Sequence, residues 1–382
     1  MITTIQELEK LYYGLEGDYI NKSDDPVTSS TSGVFNAVFG KLVWSQLNQE
    51  ANAFGLLPKV VWKNSGWRLI TARAGSDADG GVSEGGAIPD SIKPTFVEVT
   101  NTLKTVAHSF EVTEKQQYLA KIDDDATSDL EVMRGIMGTK HKEAINQQLL
   151  ADVEAQASGA SGNYAGTSGF ETMDRVISSD SEEDAFGGSH SGFYDIFGLD
   201  RDSATTYDSY VSHNSGTDRD ITDALIRGVL TGVSENGGNT QVILTGHDTY
   251  SSIIALYSDQ VRYGTIVQEG NAKVGVNGIQ TDDGIGVGMR VATLYGIPLI
   301  QSKDVPQDTI SRVFFLDTSD PEGYGEPRIS LSIAKPTQYF ESGIDAEGPF
   351  AVGKFTTKGL YRTMGEIKCP GIPFQGKLRD LK

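Results

Sequence analysis

The stretch Ala74-Gly75-Ser76-Asp77-Ala78-Asp79-Gly80-Gly81-Val82-Ser83-Glu84-Gly85-Gly86-Ala87-Ile88-Pro89 interrupts a run of alternating residues. Before it, Val60, Trp62, Trp67, Leu69 and Thr71 recur at a spacing of two; after it, Phe96, Val99, Leu103, Val106 and Phe110 do so less strictly. Such alternation marks half-buried strands, and a glycine-rich join between two alternating runs marks a turn. Residues 59–118 therefore read as two extended limbs meeting at a long tip. The tip has few apolar groups with which to anchor itself. A lone two-stranded ribbon is marginal in water, so the limbs need another body to lie on.

Outward from this loop, the N-terminal side reads as an arm. A short helical pattern (Ile5, Leu8, Leu11, Tyr12) gives way to the polar run Ser23–Gly33, which cannot offset its ordering entropy unless something else holds it. A helix fits 34–55 and stops before Pro58. On the C-terminal side, Ser128 and Glu131 have capping-box spacing after the acidic run Asp123-Asp124-Asp125. The spacing of Leu130, Met133, Met137, Ala144, Ile145, Leu149 and Val153 predicts a helix over 128–157, about 45 Å long at 1.5 Å per residue. Gly135 and Gly138 weaken it and call for close packing or a bend. Residues 158–220 read as loop-rich and acidic, including Ser178–Asp184, with one strand-like piece near Ile196–Tyr210. An αβα unit follows: a helix from Ile221 to Val233, a buried strand Gln241–Leu244, and a helix marked by Tyr250, Ile253, Ile254 and Tyr257. Turn signals at Asn277-Gly278 and Asp283-Gly284 precede strands at 290–301, 312–317, 328–340 and 350–369, and an extended tail at 374–379. The fold class is α+β.

Composition narrows the function. With 32 basic and 52 acidic residues the net charge is −20, so the chain is not built to wrap nucleic acid by neutralising phosphates. The acids are 31 Asp and 21 Glu. That balance fits solubility through self-repulsion, or adaptation to high salt, where screening removes most of the repulsion. One cysteine, Cys369, excludes an internal disulfide framework and a cysteine-based zinc cage. The N-terminus Met1–Lys10 has acids where a signal peptide needs a basic flank, and no apolar run is long enough to span a membrane.

The constellations that could carry chemistry are incomplete. His108, His141, His190, His213 and His247 never reach a zinc-protease spacing. Asp123, Asp125, Thr127 and Asp129 alternate like a calcium loop, but Ser128 stands where the turn glycine belongs and Arg134 where the bidentate glutamate belongs. Gly284-Ile285-Gly286-Val287-Gly288 lacks the strand-to-helix context and the Lys-Ser/Thr pair of a phosphate loop. Gly188-Ser189-His190-Ser191-Gly192 has histidine where a nucleophile elbow needs serine. Catalytic, cofactor and metal sites are all expected to be absent.

The order of parts resembles the major capsid proteins of tailed double-stranded-DNA viruses, whose fold is shared with encapsulins. The resemblance is carried by Glu84–Pro89 with Val97-Glu98-Val99 and Leu103–Ala107 in the loop, and by His141–Asn146 in the long "spine" helix. It continues in Ile196–Arg201, Tyr295–Ile300 with Ser302–Pro306, and Gly365–Pro370. It implies a tailed-phage major capsid fold: an N-terminal arm and first helix (1–58), an extended loop (59–118), a peripheral domain (119–220) with spine helix 128–157, an axial domain (221–335), and return strands of the peripheral domain (336–382). The implied function is a structural subunit, not an enzyme, that self-assembles as hexamers and pentamers into an icosahedral shell around a viral double-stranded DNA genome, with no sequence-specific DNA binding and no membrane. Assembly in the host cytoplasm, separate scaffold and portal proteins, and decoration proteins belong to the same expectation. Arg68, Arg73, Lys93 and Lys104 put four cations in the loop of an acidic chain, where they are candidate inter-subunit contacts. The aspartate excess adds a virus of a halophilic archaeon as the expected source. Two alternatives stand beside this reading: an encapsulin-like compartment shell, and a soluble α+β enzyme.

Overall fold

A computed structural model of the chain describes residues 52–74, 83–86, 93–122, 129–154, 169–186, 194–201, 207–256, 263–264, 291–321, 323, 325–342 and 355–382. The arm, most of helix 34–55, most of the glycine-rich tip, the acidic run 123–128, Gly188–Gly192 and the turn signals at 277–288 lie outside the described residues. The elements are α1 (Asn52–Leu56), β1 (Lys59–Val61), β2 (Gly66–Ala74), β3 (Lys93–Thr100), β4 (Lys104–Thr113), α2 (Glu114–Ile122), α3 (Asp129–Leu149), α4 (Met173–Val176) and α5 (Asp180–Phe186). They continue as β5 (Tyr210–Ser212), α6 (Asp223–Glu235), β6 (Val242–Thr245), α7 (His247–Leu256), β7 (Tyr263–Gly264), β8 (Val291–Leu294), β9 (Ile297–Gln301), β10 (Val313–Leu316), β11 (Ser330–Ser342), β12 (Thr356–Lys368) and β13 (Gly376–Leu378). Among the described residues three sheets result, with strand orders β1-β11-β12-β4, β5-β13-β10-β6-β9-β8-β7 and β2-β3. Among the described strands of the loop, β2 and β3 form the expected ribbon. The other strands of the 59–118 stretch, β1 and β4, join β11 and β12, because alternation suits a half-buried sheet strand as well as a loop limb.

The described residues fall into two compact units. The first holds Thr105–Ile145 and Lys335–Met364; the second holds Ala51–Lys104, Asn146–Ala334 and Gly365–Lys382. In the second, β6 and β10 are wholly buried, and apart from Thr245 both are apolar, as central strands are. α6 lays Ile226, Val229 and Val233 on this sheet against Ile243, Val313, Phe315 and Leu378. Thr222 caps α6 by accepting from the Leu225 N–H. The αβα reading thus has its helix, strand and helix at 223–235, 242–245 and 247–256.

In the first unit α3 lies against the sheet. Tyr361 donates to the Arg134 carbonyl at 3.0 Å, and its hydroxyl would stand 3.3 Å from a Cβ placed at Gly138. Glycine at 138 therefore answers to close packing; Gly135 has nothing within 4 Å and no such reason. Phe110 and Tyr339 stack at 6.4 Å, and Lys358 meets Glu111 at 3.3 Å.

The long helix is shorter than its apolar stripe suggests. It ends at Leu149, where Thr172 Oγ1 donates to the Leu149 and Ala151 carbonyls (3.4 and 2.6 Å). Asp174 and Asp152 then accept from the amides of Val153 and Glu154. Side chains thus satisfy the groups that a continuing helix would have paired within itself. The acidic stretch 178–184, expected as loop, is largely helix α5. Of the stretch near Ile196–Tyr210, expected to hold a strand, residues 196–199 form a tight turn and Tyr210 opens β5.

Candidate functional site

The ribbon β2/β3 is positioned by its base, which lies wholly in the second unit. Trp67 pairs with Val99, Arg68 with Glu98, Leu69 with Val97 and Ile70 with Phe96, before a bulge between Ile70 and Ala72. Successive side chains alternate in face. Val99 is buried and Trp67, Leu69 and Val97 half-buried; on the other face Ile70 and Phe96 are 58% and 54% exposed. Gly66 sits where a Cβ would come within 2.5 Å of the Val99 carbonyl oxygen, so the strands could not close with any larger residue.

A second loop fastens the base. Phe197 has φ of 59° and Gly198 of 75°, both left-handed, and Leu199 closes the turn by donating to the Ile196 carbonyl at 2.9 Å. The turn offers the Phe197 carbonyl to the Thr100 N–H at 3.0 Å and the Phe197 ring to Trp67, edge to face at 5.2 Å. Asn101 donates its amide N–H to the Ser65 carbonyl and its side chain to the Ile367 carbonyl, both at 2.7 Å. Beneath lies a cavity of about 430 Å³ lined by Asn101, Lys104, Glu171, Arg175, Phe197 and Glu366 among others. Burial raises the Glu366 carboxyl above its ordinary value, against the opposing charge of Lys104.

The four sequence-predicted cations do not act alike. Lys104 is engaged within its own chain, 3.1 Å from Glu366 and 3.5 Å from Glu171. Arg68 forms an exposed pair with Glu98 at 2.8 Å. Lys93 is exposed at the outer end of β3, and the backbone of Arg73 pairs in register with Pro94. Three of the four thus lie along the ribbon and one locks its base.

A buried charge network holds the rest of this unit, and no spacing in the chain announces it. Asp174, fully buried, faces Arg312 at 2.8 Å and Lys377 at 3.1 Å. Glu182, also buried, accepts from Lys377 and Arg379, each at 2.7 Å. Asp308 accepts from Arg312 at 2.8 Å. Burial alone would raise the Asp174 carboxyl; Arg312, Lys377 and Arg379 outweigh it and hold the group well below the usual carboxylate range. Arg201 is buried too and donates to the carbonyls of Arg175, Val176, Ser178, Tyr194 and Tyr207.

Pairs that imitate chemistry fail on proton position. His213 Nε2 lies 3.3 Å from Ser181 Oγ, but the Ser215 N–H donates to Nδ1. Nε2 therefore carries the proton and cannot take one from the serine. Cys369 is buried, and burial pushes its thiol up, away from a reactive thiolate. Among the described residues no three His, Cys, Asp or Glu groups converge to hold a metal, and no helix is long and apolar enough to cross a membrane.

The model of the SU10 major capsid protein family matches residues 51–293, well over half the chain. The chain belongs to that family. This capsid protein is similar in fold to the capsid subunit of cyanophage A-1(L), with 14% identity, TM-score 0.58 and coverage of 89% of this chain and 95% of that one. It is also similar to the capsid of a native GTA particle, with 10% identity, TM-score 0.53 and coverage of 94% and 100%. No curated protein matches it. It is a structural subunit of a viral capsid shell, located in the virion. The tailed-phage capsid fold expected from the order of parts is the fold observed. The family match carries the viral capsid shell and not the encapsulin-like compartment. These matches do not support a halophilic archaeal source.

Proposed function

We propose that the β2/β3 ribbon is the arm by which each capsid subunit grips a neighbouring copy. The observation that carries this is the outer face of the ribbon, where the cross-strand pair Ile70–Phe96 stands in water beside the Arg68–Glu98 ion pair. Exposed apolar side chains in register, on a limb whose described contacts with the rest of the unit lie at its base, gain free energy when a second body covers them. Arg68, Arg73 and Lys93 lie along the same limb and meet the carboxylates of a neighbour that carries −20. Lys104 serves the grip indirectly, by holding the base rigid through Glu171 and Glu366.

In this reading hexamers and pentamers of the subunit close an icosahedral shell around double-stranded DNA, and scaffold, portal and decoration proteins are separate chains. The acidic wall does not adhere to the packaged phosphates, so ejection is not opposed. The subunit carries no reaction of its own. Deleting residues 75–88 tests the grip. The expected result is a folded subunit, by circular dichroism, that no longer forms shells in negative-stain images. Normal shells, or an unfolded subunit, would count against it.

A further inference from the structure

His141 on α3 is wholly buried, and its Nδ1 lies 2.8 Å from Nδ1 of His108 on β4. On the other side of the ring, His141 Nε2 is 2.7 Å from Thr363 Oγ1 on β12, which is 2.8 Å from Thr337 Oγ1 on β11. All four groups belong to the first unit. They link the helix to three strands.

A neutral imidazole has one N–H and one lone pair, so the direction of this relay can be enumerated. Either His108 donates from Nδ1 to His141, which donates from Nε2 to Thr363, which donates to Thr337. Or the whole sequence runs backward. Each ring carries one proton in both cases. A third proton fits on His108 Nε2, at the half-buried edge of the pair, while His108 goes on donating from Nδ1. A fourth does not fit, because two N–H groups would then face each other across 2.8 Å. We propose that His108 and His141 form an acid-released latch between the spine helix and its sheet, which tolerates one added proton and opens on the next.

Among the described residues, the neighbouring charges offer the second charge no relief. Lys140, on the same helix, repels a proton on His108, and the Tyr361 ring stacks on His141 at 6.1 Å. Of the carboxylates on the neighbouring strands, Glu111 is paired with Lys358 and Glu341 with Arg134. Arg362 lies over the Phe340 ring and donates to Gln338. Burial lowers His141 to about 4, with the His108 charge adding to it, and burial likewise lowers His108. Both folded values lie below the ordinary 6.5, so the latch stabilises fully above that pH, and its contribution is lost as the pH falls toward 4.

Hydrogen–deuterium exchange of the full chain, read peptide by peptide and corrected for the intrinsic rate, tests the latch. Between pH 7 and 5, amides of 129–145 and 356–364 should open on the order of tenfold more often, while those of 242–245 and 313–316 stay unchanged. His141→Gln, whose amide can still reach both partners, and His108→Asn should each flatten the response. The wild-type contrast between the two peptide sets stands as a test even where a variant does not fold. No pH response at 129–145, an equal response in every peptide, or an undiminished slope in both variants would overturn the proposal.

Discussion

Lys377 donates to the main-chain carbonyl and the carboxylate of Asp174 and contacts Glu182, and none of these three side chains reaches water. Breaking one side of a buried ion pair leaves an uncompensated charge, which costs about 3–5 kcal/mol. Lys377→Met should lower stability by about that much in denaturant titrations, and adding Glu182→Gln should recover part of it. Asp174 sets an acid limit. Its folded pKa is depressed, so its contribution is present above the ordinary value of 3.8 and is lost as the pH falls below it. Acid unfolding of Asp174→Asn should accordingly be shallower below pH 4. Phe197 presents an opposite balance. Glycine at 197 would relieve a left-handed backbone worth about 1 kcal/mol and forfeit a ring contact worth about as much. Phe197→Gly should therefore leave the melting temperature nearly unchanged while raising exchange at Thr100 and Asn101, the two amides that the base loops hold.

The ribbon, the αβα unit and the returning strands were legible because each follows one period and ends at a turn residue. Short elements fixed by distant charge were not. α5 has Asp180, Ser181, Glu182, Glu183 and Asp184 in succession, a composition that reads as a solvated loop; it becomes a helix with buried acids because Lys377 and Arg379 arrive from almost two hundred residues away. The end of α3 is not legible in the sequence for the same reason, since the groups that stop it, Thr172 and Asp174, lie in another segment. Asn146 was visible only as part of the resemblance. In the structure its Oδ1 accepts from the Ala53 and Phe54 amides at the start of α1, and its Nδ2 donates to Asp304 at 2.6 Å. At this scale the outer face of the ribbon makes a separable prediction. Ile70→Ser with Phe96→Ser removes no buried contact, so the subunit should melt as before yet assemble at a higher threshold concentration, measured by light scattering.

A shell of such subunits brings many bodies of charge −20 edge to edge. Screening lengths are about 10 Å at 0.1 M salt and about 3 Å at 1 M, so repulsion across contacts fades as salt rises. If the aspartate excess is an adaptation to brine, shells dialysed from molar salt to tens of millimolar should dissociate, and size by light scattering will register it. Shells that stay intact would reduce the acidity to ordinary solubility and leave the capsid function untouched. The ribbon cations also bear on covalent stapling. Lys104 is committed to two carboxylates and the Asn101 side chain to a main-chain carbonyl, so neither is poised for a lysine–asparagine cross-link. Boiled shells should run on a denaturing gel as one band at the mass of a single subunit, without a ladder.

β13 occupies an interior place in the seven-stranded sheet, between β5 and β10, although it is made after both. During synthesis that slot stands empty until residues 376–379 leave the ribosome. Until then Glu182 lacks both of its cations and Asp174 lacks Lys377. The second unit thus cannot close its sheet or neutralise these acids without β13. A chain that stops short of β13 leaves Glu182 without Lys377 and Arg379, and its seven-stranded sheet without an interior strand.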